Sequence, residues 1–590
     1  MNIFVFSLLF LLYFNSNYLL LCSNLYKSNA TNMTFFQTAL DTDDKIHMFW
    51  SIDYKAELVT IELRLNVPDD KLWFAVGFSA YGQITNADLC ILWMDKKLNT
   101  HFDDISTDDD GFVTEDNHND CQLMKLKRKG SVTRFVFQRK FDTCEPGDYV
   151  IEDGTNCIVY AIGSGTLNHI YGLRLNKYNH GFQRVHLLKT LTPEVTFPDD
   201  TRVLDIVHDK VHVPNTDTTY WCKLHLLPAE LVRKQHIIQY EAVIQPGSEG
   251  LVHHMEVFHC EVAAEITLPD WDGSCFDKTM PDILHNCKRV LAAWALGAGP
   301  FSYPEVAGLP FGGHNYSRYV MLEVHYNNPD LKAGVIDSSG VRLYYTSTLR
   351  KYDVGILEIG LEYTDKNSIP PKQAAFALSG YCVSECSRAG LPPDGITIFA
   401  SQLHTHLTGI RVYTRHVREG KELDELNRDN YYSTHFQEIR ILKRPVHFVP
   451  GDALINVCEY DTQLRENITL GGYGIKDEMC VNYMHYYPKT TLEVCKSSVD
   501  SQVLSNYFEY MNKYEGQATS KNKSVSENYL SIKWTPYTTK FLHTLYNRAP
   551  LSMQCNQSSG ERFPGFWNGI PPTPIYEPLK PKERNCNSVL

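Results

Sequence analysis

The chain has 590 residues, 43% hydrophobic and 12% aromatic, so it is long enough for several domains and too apolar to be disordered. Its formal net charge of −13, with no long basic block to offset it, argues against a nucleic-acid partner. Sixteen cysteines without zinc-finger spacing point to disulfides and an oxidising compartment.

Residues 1–22 read as a signal peptide or as an uncleaved signal anchor. Ile3 to Phe14 is almost wholly apolar, and Asn15, Ser16 and Asn17 interrupt it before the apolar run Tyr18 to Cys22. If that polar triplet is tolerated, the run reaches membrane-spanning length. No later run does, so any membrane tether has to come from this segment. Asn-x-Ser/Thr sequons at Asn29, Asn32, Asn315, Asn467, Asn522 and Asn556 permit glycosylation on a secretory route. The expected location is the secretory pathway, in a vesicle lumen or outside the cell.

Residues 40–165 are β-rich. Short alternating segments such as Leu58 to Leu65, Trp73 to Phe78 and Val132 to Phe137 lie between Asp, Gly and Asn turns, the pattern of an antiparallel sandwich. The acidic stretch Asp103 to Asp120 is not an EF-hand. With Gly111 in the glycine place, Ser106 stands first and Asn117 stands where a bidentate Glu is needed, so a solvated loop is the better reading. A linker occupies about 166–200. Two further β-rich regions follow at 200–340 and 341–505, and 506–590 read as a Pro-rich C-terminal tail. The fold class is mainly β.

The second and third regions share one spacing. His253 and His254 are followed 71 residues beyond His254 by His325; His404 and His406 are followed 73 residues beyond His406 by Met479. Two similar β-domains, each holding one metal, give that pattern. His404 and His406 close the apolar run Ile396 to Ala400, and with a strand period of two they share a face. Two imidazoles and a thioether form a soft site that suits copper, whereas zinc seldom accepts Met. His253 and His254 are adjacent, so the strand must end or bulge there if both meet one ion. His259, His435 and His485 lie near these motifs and are read as structural or supporting residues.

The stretches His253 to Phe258, Leu322 to Tyr326, His404 to Gly409 and Glu478 to Tyr483 resemble the copper-binding motifs of the ascorbate-dependent type II copper monooxygenases. Leu291 to Gly297 and His435 to Arg440 match the same family. Asn86 to Leu89, Phe141 to Cys144 and Tyr149 to Gly154 resemble a DOMON domain. The resemblance spans about 40–586. It implies a DOMON β-sandwich followed by two antiparallel, jelly-roll-like copper domains. His253, His254 and His325 would hold an electron-transfer copper; His404, His406 and Met479 would hold the copper that meets O₂. Two coppers per chain and ascorbate as electron donor follow. In the DOMON region, Asp88, Asp120 and the carbonyls of Leu89 and Ile105 are implied as a second type of metal site, suited to Ca²⁺.

The implied reaction is β-hydroxylation of a phenylethylamine, dopamine to noradrenaline or tyramine to octopamine, a step of catecholamine-type biosynthesis. His404 and Tyr220 are the implied catalytic residues, and Tyr220 reads equally well as a core aromatic beside a disulfide. A DOMON-bearing monooxygenase with another substrate and a secreted, non-catalytic copper-binding protein are the alternatives. The resemblance pairs Cys144 with Cys586, Cys222 with Cys275, Cys260 with Cys287, Cys382 with Cys495, Cys386 with Cys555, and Cys458 with Cys480. Cys22 leaves with the signal peptide, Cys90 and Cys121 are expected to pair, and Cys157 remains. Relatives of the vertebrate type carry a subunit-linking cysteine pair that residues 515–523 lack. A homodimer is therefore expected without a disulfide there.

Overall fold

The computed structural model describes Tyr26–Lys27 and residues 34–590, except 42, 44, 70, 191–195, 297, 329, 582–583, 585 and 587–590. The N-terminal segment 1–22 and the sequons at Asn29 and Asn32 lie outside the described residues. The chain divides into two compact units. One holds 1–150, 158–183 and 297–300; the other holds 151–157, 184–296 and 301–590.

The first unit is built on antiparallel strands. Ile46–Asp53, Leu58–Asn66, Val132–Lys140 and Gln122–Lys129 pair in that order in one sheet. Trp73–Ser79, Asp88–Met94, Thr100–Thr107 and Val113–Glu115 pair in another. The alternation read from the sequence is the cause: Val59, Ile61, Leu63 and Leu65 are all buried, on one side of their strand. Trp50, Trp73, Phe74 and Phe135 are among the largest fully buried side chains. The run Asp108 to Gly111 is a turn, with Gly111 at φ 81° and the Asp108 carboxylate accepting from the Asp110 and Phe112 amides.

The second unit repeats one plan. In its first half, a five-stranded sheet runs Asp272–Ser274, Thr218–Leu226, Tyr319–Asn327, Val252–Cys260, Cys287–Ala295. In its second half, Ile396–His404, Val481–Tyr487 and Gly355–Leu361 are neighbours inside a seven-stranded sheet. A five-stranded sheet containing Phe376–Cys382, Asp452–Tyr460 and Gly409–Arg418 accompanies it. The disulfides Cys382–Cys495, Cys386–Cys555 and Cys458–Cys480 lie in the second half, and Cys222–Cys275 and Cys260–Cys287 in the first. Cys90–Cys121 lies in the first unit. Cys144 and Cys586 are each half of a disulfide, and Cys157 is a buried free thiol.

The expected tail is instead a folded helical segment. Helices span Ser501–Glu515, Val525–Leu530 and Pro536–Arg548. Their ends carry the signals that start and stop helices. The Asp500 side chain accepts from the Gln502 and Val503 amides, Gly516 closes the first helix at φ 63°, and Ser524 with Glu527 forms a capping box. Leu504, Tyr507, Phe508 and Met511 follow the i, i+3, i+4, i+7 spacing of a buried stripe and pack with Tyr529 and Leu542. That stripe was present in the sequence, masked by the Pro-rich text that follows it. Strand Leu551–Gln557 then joins the seven-stranded sheet beside Leu492–Val499. It makes Asn556 half-buried, while Asn315, Asn467 and Asn522 are exposed.

Candidate metal centres

In the first half, register and one bulge bring three imidazoles together. Tyr220 sits opposite His325, which sits opposite His254, on three adjacent strands. The ladder slips between Val252 and His254, leaving His253 as the extra residue of a β-bulge. That bulge is the irregularity the adjacent histidines required. The Nδ1 atoms of His253 and His325 lie 3.3 and 3.2 Å from Nδ1 of His254. One ligand atom from each of the three residues falls within 4.8 Å of the others. Nε2 of His325 is buried with no hydrogen-bond partner. Three nitrogen donors facing one another around a centre fit a copper ion, which would accept the lone pairs they cannot usefully exchange.

Burial lowers His253 to about 3 and His325 to about 4, and the neighbouring imidazoles push the same way; His254 is lowered well below its ordinary value for the same reasons. The donors are therefore neutral, as metal ligands must be. Tyr220 lies parallel on His325, with ring centroids 4.4 Å apart and an interplanar angle of 2°. Burial pushes its phenol up to about 12, so it stays protonated. One row further along the same face, Glu256 stands opposite Glu323. Burial raises Glu256 to about 7, and burial together with Glu256 raises Glu323 to about 8. This carboxyl pair was not singled out in the sequence.

The second site departs from the expected strand geometry. The strand ends at His404, and His406 lies in the loop beyond it. The two rings nevertheless converge, with centroids 5.2 Å apart at 87°. Glu478 explains how. Its carboxylate accepts from the His406 amide at 2.9 Å, the Thr408 amide at 2.6 Å and the Thr408 hydroxyl at 2.7 Å. Burial of that carboxyl raises its pKa. Met479, 8% exposed, is the next residue in the chain after the group that folds the His406 loop. The Tyr460 hydroxyl donates to the Met479 carbonyl at 2.7 Å, and Cys480 is bonded to Cys458.

Each imidazole of this site has Nδ1 occupied. His406 Nδ1 lies 3.0 Å from the Asp477 carbonyl, which can only accept, so His406 donates there and Nε2 carries its lone pair. His404 Nδ1 lies 2.6 Å from Oε1 of Gln437. Burial, then His406, lowers His404 to about 4. His485 is buried against Phe399 and Phe301, and His259 stacks on Tyr316 while meeting the Ser317 carbonyl at 3.0 Å.

A pH dependence follows. The folded pKa values of His253, His325 and His404 lie below the usual value near 6.5, so the unfolded chain takes up protons first as pH falls. The copper-free protein should lose stability between about pH 6.5 and about pH 3, the folded value of His253, with no further loss from these groups below their folded values. Thermal melts at stepped pH check this, and a flat melting temperature across that window contradicts it.

In the first unit, one carboxylate of the implied Ca²⁺ site is already engaged. Asp88 is ion-paired with Arg139 and accepts from the Tyr149 amide at 2.7 Å. Leu89 and Ile105 face each other in register, and the Asp120 amide donates to Asp104 at 2.7 Å. A buried carboxylate oxygen of Asp104 has no hydrogen-bond partner among the described residues, and burial and Asp88 raise this carboxyl to about 8. A cation at Asp88 would compete with a guanidinium.

Three family matches cover most of the chain. Residues 42–163 match the DOMON domain, 204–333 the copper type II ascorbate-dependent monooxygenase N-terminal domain, and 352–508 its C-terminal domain. Dopamine beta-hydroxylase of Bos taurus is 45% identical over 553 residues, covering 93% of this chain and 90% of the relative. Tyramine beta-hydroxylase of Caenorhabditis briggsae is 38% identical over 524 residues, covering 87% and 86%. DBH-like monooxygenase protein 1 of Homo sapiens is 31% identical over 567 residues, covering 94% and 91%.

Proposed function

The chain belongs to the copper type II ascorbate-dependent monooxygenases, of the dopamine and tyramine beta-hydroxylase type, and from that premise we propose that it β-hydroxylates a phenylethylamine. The observation that carries this reading is the set of three imidazoles whose nitrogens face one another beside Tyr220. His253, His254 and His325 are the residues we assign to one copper, and His404, His406 and Met479 to the other. Bound there, copper supplies the one-electron redox chemistry through which ascorbate and O₂ are used.

The protein's part is orientation and charge. Asp477 and Gln437 hold the two imidazoles of the second site so that Nε2 points to the metal position. The Met479 thioether adds a soft donor that favours the cuprous state. Tyr220, protonated at neutral pH, fixes the His325 ring by stacking and is better assigned to positioning than to proton transfer. The Glu256–Glu323 pair stays largely protonated near pH 7, so it can hold a proton beside the first site rather than supply a full negative charge. We place the protein in the secretory lumen, because its disulfides persist only in an oxidising compartment. Among the described residues no helix is long and apolar enough to cross a membrane.

Oxygen uptake by the copper-loaded protein with ascorbate, offered dopamine, tyramine, other phenylethylamines and a glycine-extended peptide, tests the assignment. At least one phenylethylamine should be consumed with saturation, and the peptide should not. Uptake stimulated by the peptide alone, or by no amine, rejects the proposal.

A further inference from the structure

One short segment touches a proposed ligand of each metal site. Tyr432 to Gln437 wraps the His404–Thr405–His406 corner from outside its sheet. The Tyr432 hydroxyl accepts from the Thr405 amide at 2.9 Å, and the Gln402 side chain donates to the Gln437 carbonyl at 2.9 Å. Phe436 is buried beneath the Arg440 guanidinium, 5.4 Å from the ring centre. The Gln437 side-chain NH₂ is spent on the Thr434 carbonyl at 2.7 Å, so the oxygen is what faces His404. An amide oxygen only accepts, which forces the proton onto Nδ1 of His404 and leaves Nε2 for the metal. Two residues earlier in the chain, exposed His435 meets the other half: its ring lies edge-on to His253, centroids 5.6 Å apart at 84°.

We propose that Tyr432–Gln437 is a coupling segment, in which Gln437 positions His404 and His435 bears on His253, so that metal loading at one site alters the other. This rests on the ligand assignment above. A metal that draws His253 towards His254 and His325 moves the edge on which His435 rests. The shift passes through the buried Phe436 to the Gln437–His404 hydrogen bond. Gln437 and His435 act through ligands and are positioning residues, and no reacting group need touch them.

Equilibrium dialysis of the full chain against Cu(II), read with the Cu(II) EPR spectrum, tests the proposal without substrate. In the His254→Ala background, which isolates the second site, Gln437→Leu should weaken copper about 10–100-fold and change its hyperfine pattern. Gln437→Glu keeps an acceptor at the same reach and should recover most of that affinity. Copper affinity at the second site should differ about 5-fold between the wild-type and His254→Ala proteins. His435→Ala, a change at an exposed residue, should abolish that difference. Copper binding by Gln437→Leu equal to its parent, or a wild-type difference that survives His435→Ala, overturns the proposal while leaving the monooxygenase reading intact. Failure of the wild-type protein to bind copper at both sites overturns both.

Discussion

Met479→Ala should lower ascorbate-dependent hydroxylation at least about 100-fold. Loss of a residue that merely supports a metal ligand costs about 10–100-fold, and a direct ligand costs more. The backbone here is held independently of the side chain. The Met479 carbonyl accepts from Tyr460, the next residue is bonded to Cys458, and the preceding carboxylate binds the His406 loop. Truncating the thioether therefore removes a donor without dismantling the corner. Copper at His253, His254 and His325 should remain, so the variant should keep close to one copper per chain and lose turnover. Normal activity in Met479→Ala would refute the ligand assignment.

Asp452→Ala should destabilise the second unit by about 3–5 kcal/mol, the cost of stripping one partner from a buried charged network. Asp452 is fully buried. It accepts from His416 at 2.7 Å, from Arg418 at 2.6 and 2.8 Å, and from the Val449 amide at 3.1 Å. Those partners hold its carboxyl well below the usual range despite burial. The folded pKa is depressed, so this stability is present above the ordinary Asp value and is lost as pH falls towards the folded one. Asp452 opens the strand that carries Cys458 to the residue beside Met479, so the loss should spread to the second metal site. A melting temperature lowered by on the order of 10 °C is expected, and one within a degree or two of wild type would show the network to be dispensable.

Much of the fold was legible because strands declare themselves locally. A period of two over Leu58 to Leu65 is enough to place a half-buried strand, and the repeated spacing of close histidines with a distant third donor marks two related halves. What stayed hidden was held by contacts between residues far apart in the chain. Gln437 reaches His404 across 33 positions and Glu478 reaches His406 across 72, and neither pairing leaves a local period. The adjacent pair at His253 and His254 demanded a bulge, but only the register with Tyr326 and His325 shows that His253 is the residue squeezed out. The His404–Thr405–His406 geometry differs from the expected shared strand face because the strand ends at His404, two residues before His406. His435 was set aside as supporting, which its position against His253 agrees with, but its role needs the other half of the unit to be seen.

The most direct test is isotopic. Copper-loaded protein, ascorbate and dopamine or tyramine are incubated under ¹⁸O₂ in ordinary water, and the product is analysed by mass spectrometry. One ¹⁸O atom should appear on the β-carbon of the amine, with ascorbate oxidised in step. Product carrying oxygen from water, or ascorbate oxidation with no hydroxylated amine, would contradict the assignment of this protein as a two-copper amine monooxygenase.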